Sequence, residues 1–177
     1  MHPLAAYNIL FSGLKNGTHR FDYLIEHPFF EAMEFSPIKE GRVWINLELS
    51  KHETMMVFEF HIKGTVHTTC DRCLEEFDLP IEGQQKLIVK FGETAFEETD
   101  EVVVIPRGEH EFNVAQYIYE FIMLLIPIKV AHPEDEDGNF DCDPSALDLL
   151  SSAEDNTGGE PETDPRWEAL KKLKNKE

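Results

Sequence analysis

Apolar and polar residues alternate along much of the first half of the chain, which predicts an antiparallel β-sheet. Residues 42–50 and 54–63 each place an apolar side chain at every second position, as expected for half-buried strands. About four residues connect these two strands, a length typical of an antiparallel hairpin. Shorter apolar runs predict further strands at 65–69, 77–81, 85–91 and 101–105. The expected fold is α+β, with an antiparallel β meander or a partial barrel.

Two segments of the same region repeat their apolar residues at helical spacing instead. Residues 17–33 predict a short helix that ends near Pro28. Residues 113–126 predict the one main buried helix, because Asn113 is a suitable N-cap, the apolar residues share one face, and Pro127 follows the pattern.

Charge divides the remainder of the chain from this β-rich body. The 177 residues include 35 Asp+Glu and 16 Lys+Arg, a net charge of −19. Twelve of the acids fall from Pro133 to Asp164, where no Lys or Arg occurs. Such a composition buries too little apolar area to offset the entropy of ordering, so residues 133–163 are predicted to be an acidic flexible linker. Residues 1–132 are expected to form one β-rich globular domain that includes the main helix.

The last segment, residues 164–177, reverses the sign of the charge and predicts a short amphipathic helix. Trp167 and Leu170 begin a repeat of apolar residues at every third position, Asp164 is the expected N-cap, and lysines cluster near the end. Two interpretations stand at this point. The helix docks on its own body, or it anchors a partner through Asp164, Arg166, Trp167 and Leu170.

The sequence also contains one candidate metal centre. Cys70 and Cys73 form a C-x-x-C motif between a strand that arrives and a strand that leaves, which is the geometry of a zinc knuckle. His132 and Cys142 would complete a Cys3His set. The alternatives are a knuckle-shaped turn without metal and a redox pair. A redox pair requires a helix that begins at the motif, whereas strand-like residues follow Cys73.

Composition and motifs favour a cytosolic, non-membrane protein that is not an enzyme. The chain begins without a charged leader and a following apolar run, and no stretch approaches about eighteen apolar residues. Three cysteines do not indicate a disulfide framework. The eight histidines are scattered, without an H-E-x-x-H, G-x-S-x-G or P-loop pattern, so no catalytic assembly is predicted.

Several of these features together resemble a bacterial protein family. The chain contains Cys-Asp-Arg-Cys-Leu-Glu at 70–75, Leu-Leu-Ile-Pro at 124–127, an acidic connector, and Asp-Pro-Arg-Trp-x-x-Leu at 164–170. Their order and spacing are similar to those of the YceD family, also called DUF177. The resemblance implies a cytoplasmic ribosome-biogenesis factor needed for accumulation of large-subunit (23S) ribosomal RNA, and not an enzyme. Members commonly carry further cysteines after the helix, where this chain has His132 and then only Cys142.

The net charge indicates which component of the ribosome the chain contacts. RNA affinity relies on cations at the phosphates, and a chain at −19 is repelled unless its charges segregate. Ribosomal proteins are mostly basic, so a large-subunit ribosomal protein or a precursor ribosomal particle is the expected partner. One alternative is direct binding of ribosomal RNA by a basic face near Arg72. Another is a small metal-dependent hydrolase or RNA-processing enzyme built on Cys70, Cys73 and His132.

Overall fold

The computed structural model of the protein describes residues 3–92, 102–133, 142, 145 and 146. The described strands are β1 (Asn8–Ile9), β2 (Gly17–Ile25), β3 (Gly41–Lys51), β4 (Met55–Thr69), β5 (Glu76–Phe91), β6 (Val102–Ile105) and β7 (Phe112–Asn113). The described helices are α1 (His27–Ala32) and α2 (Ala115–Leu125), with 3-10 helices at Pro3–Tyr7 and Phe11–Gly13.

Most of the predicted linker at 133–163 and all of the predicted helix at 164–177 lie outside the described residues. Within the linker, Ser145 and Ala146 are helical. The division of the chain into a body, a linker and a terminal helix therefore stays a prediction.

Five strands form one sheet, in the order β2-β3-β4-β5-β6. The strands β2 to β5 make an antiparallel meander, and β6 runs parallel to β5 at the edge. A separate short pair joins β1 to β7. The sheet of the described residues is open and does not close into a barrel. The predicted α+β fold with an antiparallel meander is confirmed.

The strands of the meander are longer than the sequence pattern predicts, because glycines do not interrupt them. Two pairs of predicted strands are single strands in the structure, namely β4 and β5. Gly64 continues β4 and pairs with Val43 of β3, where a Cβ would overlap the carbonyl oxygen of Arg42. Gly83 continues β5 beneath Leu125 of α2, whose side chain occupies the space of a Cβ. Both glycines mark close approaches of neighbouring elements, not breaks.

The prediction of a short helix within residues 17–33 that ends near Pro28 is wrong, because a strand occupies the first part of that range and the helix begins at His27. Gly17–Ile25 is strand β2, in which Tyr23 and Ile25 pair with core residues of β3. Helical and strand spacing overlap in so short a segment, and pairing with β3 decides the outcome. Helix α1 follows, with Pro28 in its first turn. Proline is favoured there because the N–H groups of the first turn have no partner within the helix.

The hydrophobic core lies on one face of the sheet. Alternate residues of β3 and β4 point inward and are at most 1% exposed; they are Val43, Ile45, Leu47, Leu49, Met56, Phe58, Phe60 and Ile62. The helices cover this face. Phe121 of α2 contacts Phe60 with ring centroids 5.0 Å apart, and Tyr7 contacts Phe29 of α1 at 5.0 Å. On the opposite face Trp44 is 55% exposed, so the body has two layers.

Helix α2 forms where the sequence predicts the main buried helix. The side-chain oxygen of Asn113 accepts a hydrogen bond of 2.9 Å from the backbone N–H two residues later, which satisfies a donor of the first turn. Ile118 and Ile122 are fully buried, and the helix ends at Leu125, two residues before Pro127. No helix of the described ranges is long and apolar enough to cross a membrane.

Candidate metal centre

The turn between β4 and β5 holds the two cysteines of the C-x-x-C motif. It is closed by a hydrogen bond from the Cys70 N–H to the Glu75 carbonyl, 2.8 Å, and by one from the Leu74 N–H to the Cys70 carbonyl, 3.0 Å. Leu74 adopts the left-handed conformation, with φ of 62°, which a residue with a Cβ seldom takes. The sulfur atoms of Cys70 and Cys73 lie within 4.8 Å of each other as a result.

The segment that follows α2 is held against this turn through Asp71. The Asp71 N–H donates to the Val130 carbonyl at 2.8 Å, and the Asp71 carboxylate accepts the Val130 N–H at 2.7 Å. These two hydrogen bonds fix the backbone only two residues before His132. They therefore position the imidazole beside the turn.

The four predicted ligands, Cys70, Cys73, His132 and Cys142, converge into one group, which we call the Cys3His cluster. Their sulfur and ring nitrogen atoms all lie within 4.8 Å of one another. Zn–S bonds of about 2.3 Å and Zn–N bonds of about 2.0 Å in a tetrahedron require S–S separations of about 3.8 Å and S–N separations of about 3.5 Å. The Cys70 and Cys142 sulfurs are 3.9 Å apart. His132 Nδ1 lies 3.5 Å from the sulfurs of both Cys73 and Cys142. These three edges fit tetrahedral zinc.

The Cys3His cluster is closed to solvent. Each of its four side chains is at most 9% exposed. The Phe77 ring lies against the His132 imidazole with centroids 4.4 Å apart, and Ala131 and Ala146 pack around the sulfurs. Four protein ligands in a closed shell are typical of structural zinc sites, whereas catalytic zinc keeps one position open for water. The arrangement favours a structural ion.

The surroundings separate the acidities of the thiols. Burial raises the pKa of Cys70. Backbone N–H groups of Cys73, Arg72 and His132 outweigh this effect and bring the pKa of Cys70 down to about 6. Burial, followed by hydrogen bonds to Cys70 and Cys73, raises the pKa of Cys142 to about 11. The Cys70 thiolate therefore forms readily, and its negative charge disfavours ionisation of the Cys142 thiol. A divalent cation removes that opposition, because a thiol that coordinates a metal is deprotonated.

One of the predicted partner-binding residues lies at this centre. Arg72 is half-buried between the two cysteines, and its backbone N–H donates to the Cys70 sulfur at 3.4 Å. The other four, Asp164, Arg166, Trp167 and Leu170, lie outside the described residues.

Sequence reasoning missed the residues that hold the two halves of the cluster together. Asp71 joins the turn to the later segment, and Phe77 covers the imidazole. The position of Asp71 inside the C-x-x-C turn was the available signal, because a short carboxylate readily accepts backbone N–H groups.

Comparison with known proteins identifies the family. The family model described as large ribosomal RNA subunit accumulation protein YceD matches residues 58–174. The match begins within β4 and includes the whole Cys3His cluster. No curated protein and no solved structure matches the chain. Because the match covers more than half of its residues, the chain belongs to the YceD family, as its motifs predict.

Proposed function

We propose that the chain is a non-catalytic, cytoplasmic ribosome-biogenesis factor that supports accumulation of large-subunit (23S) ribosomal RNA. It acts by binding a basic large-subunit ribosomal protein or a precursor ribosomal particle. The family description supports the first part, because it names the accumulation of an RNA and not a reaction. The distribution of charge supports the second part.

Most of the negative charge belongs to residues outside 3–92 and 102–133. Residues 3–92 and 102–133 contain 16 Asp+Glu and 11 Lys+Arg, a net charge of −5, whereas the whole chain carries −19. The larger part of the negative charge belongs to the remaining segments, above all to the twelve acids from Pro133 to Asp164. An acidic segment of this kind complements a basic protein, attracts it over a distance and screens it from RNA. This uneven distribution is the observation that carries the proposal.

Direct binding of RNA near Arg72 is less well supported. The turn that carries Arg72 also carries the exposed acids Asp71, Glu75 and Glu76. On the open face of the sheet, Lys63 forms an ion pair with Glu82 at 2.8 Å. A phosphate would have to compete with these carboxylates for each cation.

Affinity purification of the tagged full chain from growing cells, with and without nuclease, tests the proposal. Large-subunit ribosomal proteins should remain bound after nuclease treatment. Loss of every partner on nuclease treatment would contradict the proposal and favour contact with RNA. In the same cells, depletion of the chain should lower large-subunit RNA relative to small-subunit RNA.

A matched pair of variants tests the role of the acidic segment. The first variant converts four acids of the linker to amides: Glu134, Asp135, Glu136 and Asp137. The control converts four acids outside the linker: Glu97, Glu98, Asp100 and Glu101. Both variants change the net charge equally, so a difference between them reflects the position of the acids. Only the first variant should lose the ribosomal proteins. Equal loss in both variants would show that the position of the acids is irrelevant.

We also propose that the Cys3His cluster binds one Zn²⁺ as a structural ion. Cys70 and Cys73 would hold it from the β4–β5 turn, while His132 and Cys142 would hold it from the segment after α2. The ion would compensate the thiolates and tie the two segments together. The support is the fit of three interatomic distances of the cluster to the edges of a tetrahedron.

Elemental analysis of the purified chain tests this second proposal. About one zinc per chain is expected, because a four-ligand structural site binds its ion tightly. His132→Ala should lose most of the zinc, whereas His61→Ala, on the open face of the sheet, should retain it. Replacement of zinc by Co²⁺ should give the intense visible bands of tetrahedral thiolate coordination. Purified chain without zinc, and without Co²⁺ bands after addition of the metal, would contradict the proposal.

A further inference from the structure

Two strongly exposed apolar side chains lie on the two segments that carry the Cys3His cluster. Leu74 in the β4–β5 turn is 76% exposed, and Ile128 in the segment after α2 is 106% exposed. The two hydrogen bonds between Asp71 and Val130 join these segments, so Leu74 and Ile128 flank one backbone contact. Four exposed carboxylates belong to the same turn and the start of β5. We call the whole set the knuckle surface; it consists of Leu74, Ile128, Asp71, Glu75, Glu76 and Asp78.

The hydrogen bonds that close the β4–β5 turn hold Leu74 in a left-handed conformation that leucine seldom adopts. A left-handed backbone is strained for any residue with a Cβ, and glycine would relieve that strain. Burial of the leucine would offset the strain, yet the side chain is largely exposed in the body. A strained, exposed leucine and an exposed isoleucine on two segments joined by hydrogen bonds form the kind of surface that a partner segment covers.

We infer that residues 165–174 of the same chain bind the knuckle surface as an amphipathic helix. Trp167, Leu170 and Leu173 share one face of such a helix and pack on Leu74 and Ile128. The inference goes beyond the proposed function and does not depend on it. It decides between the two interpretations of the C-terminal segment in favour of docking within the chain.

The length of the intervening chain suits this arrangement. Ala146 packs against the Cys3His cluster, and 20 residues separate it from Trp167. A flexible segment of that length has an end-to-end distance of about 25 Å. The C-terminal segment therefore starts beside the knuckle surface and stays within reach of it. A short tether of this kind gives an effective concentration on the order of millimolar, so a weak contact suffices.

Charge also matches the two surfaces. Residues 165–177 contain two acids, Glu168 and Glu177, and five basic residues: Arg166, Lys171, Lys172, Lys174 and Lys176. The knuckle surface contributes four carboxylates, against Arg72 and Lys129 in the same turn and segment. Glu76 and Asp78 lie 3.6 and 3.0 Å from the His67 ring, and with this histidine neutral the local charge is about −2. A basic helix is therefore attracted, whereas an acidic one is repelled. The family match, residues 58–174, spans both surfaces.

Quenching of Trp167 fluorescence in the full chain tests the inference. The chain contains two tryptophans, so Trp44→Phe leaves Trp167 as the single emitter. In this background we compare the parent with a variant that carries Leu74→Asn and Ile128→Gln. Asparagine tolerates the left-handed conformation, so the first change removes the apolar contact without adding strain. The acrylamide quenching constant of Trp167 should rise about threefold in the variant, since a docked indole is shielded from the solvent.

Controls separate docking from its alternatives. Leu10→Gln alters another exposed leucine, 64% exposed, outside the knuckle surface and should leave the quenching constant unchanged. Circular dichroism should show that every variant remains folded. Equal quenching in the parent and the double variant would overturn the inference. Quenching that falls as the protein concentration rises would also overturn it, because it would assign the contact to a second copy. The inference would also be overturned if Trp167 were exposed in the parent and became shielded only when ribosomal proteins were added.

Discussion

Replacement of Asp71 by alanine should weaken zinc binding about tenfold, although Asp71 is not a ligand. Its carboxylate accepts the Val130 N–H at 2.7 Å and so holds the backbone that carries His132. Loss of this hydrogen bond leaves the other ligands in place but releases the segment that presents the imidazole. Part of the free energy of metal binding must then be used to order that segment.

The structure sets the size of the effect. A hydrogen bond to a charged group contributes about 1.5–3 kcal/mol. Because Asp71 is exposed and water competes for its carboxylate, we take a value near the lower limit. About 1.4 kcal/mol corresponds to a tenfold change in the dissociation constant. Asp71→Asn keeps a neutral acceptor of about half the strength, so it should weaken binding only about threefold.

Competition with a chromophoric zinc chelator measures the dissociation constant of each reduced variant. The pH is held fixed, because the ligands must lose protons to bind the metal. Asp78→Ala is the matched control, since it removes the same charge from β5, where Asp78 bonds to His67 and not to the later segment. If Asp71→Ala and Asp78→Ala weaken binding equally, the effect comes from charge at a distance. If Asp71→Ala binds zinc as tightly as the parent, the proposed positioning role is refuted.

Three further predictions concern the body. Gly64→Ala should lower the free energy of unfolding in urea by about 2–3 kcal/mol, because its Cβ meets backbone atoms of β3. Gly83→Ala should lower it far less, since a flexible leucine side chain can yield; equal losses would contradict this reasoning. A hydrogen bond to Asp78 raises the pKa of His67, so Asp78→Asn should lower the value measured by NMR titration. That pairing stabilises the fold below the unfolded-state pKa, and the contribution is lost as the pH rises through the folded-state value. Lys51→Met should destabilise the fold by about 2 kcal/mol, because the ammonium donates to two backbone carbonyls at 2.6 and 2.7 Å, and Lys51→Arg should recover part of this loss.

The central hairpin is predictable from the sequence because its pattern is local. Alternation over residues 42–50 fixes which face of β3 is buried, and the structure places this strand at Gly41–Lys51. Gly64 shows where local pattern fails. A glycine within a strand pattern predicts a break in the strand, but Gly64 instead allows β3 and β4 to approach each other closely. That approach depends on Arg42, which is distant in the sequence. The same limit applies to β2, whose state is decided by pairing with β3.

The four residues of the Cys3His cluster are predictable because their chemistry is distinctive. Few residue types bind zinc, and a C-x-x-C motif between strands restricts the geometry of the first pair. The contact between Asp71 and Val130 spans 59 residues, and no local sequence pattern predicts that these two residues pair. The exposure of Leu74 was equally hidden, since it depends on a backbone conformation that glycine would normally provide.

The wide spacing of the four ligands along the chain sets the order in which the centre forms during synthesis. Cys142 follows Cys70 by 72 residues, which a ribosome adds in roughly 4–14 s at about 5–20 residues per second. By that time β2 to β6 and α2 have all been synthesised. The nascent chain therefore displays a pair of reduced thiols on a hairpin before their partners exist. The four residues of the Cys3His cluster can therefore come together only after the strands of the sheet and α2 have been synthesised.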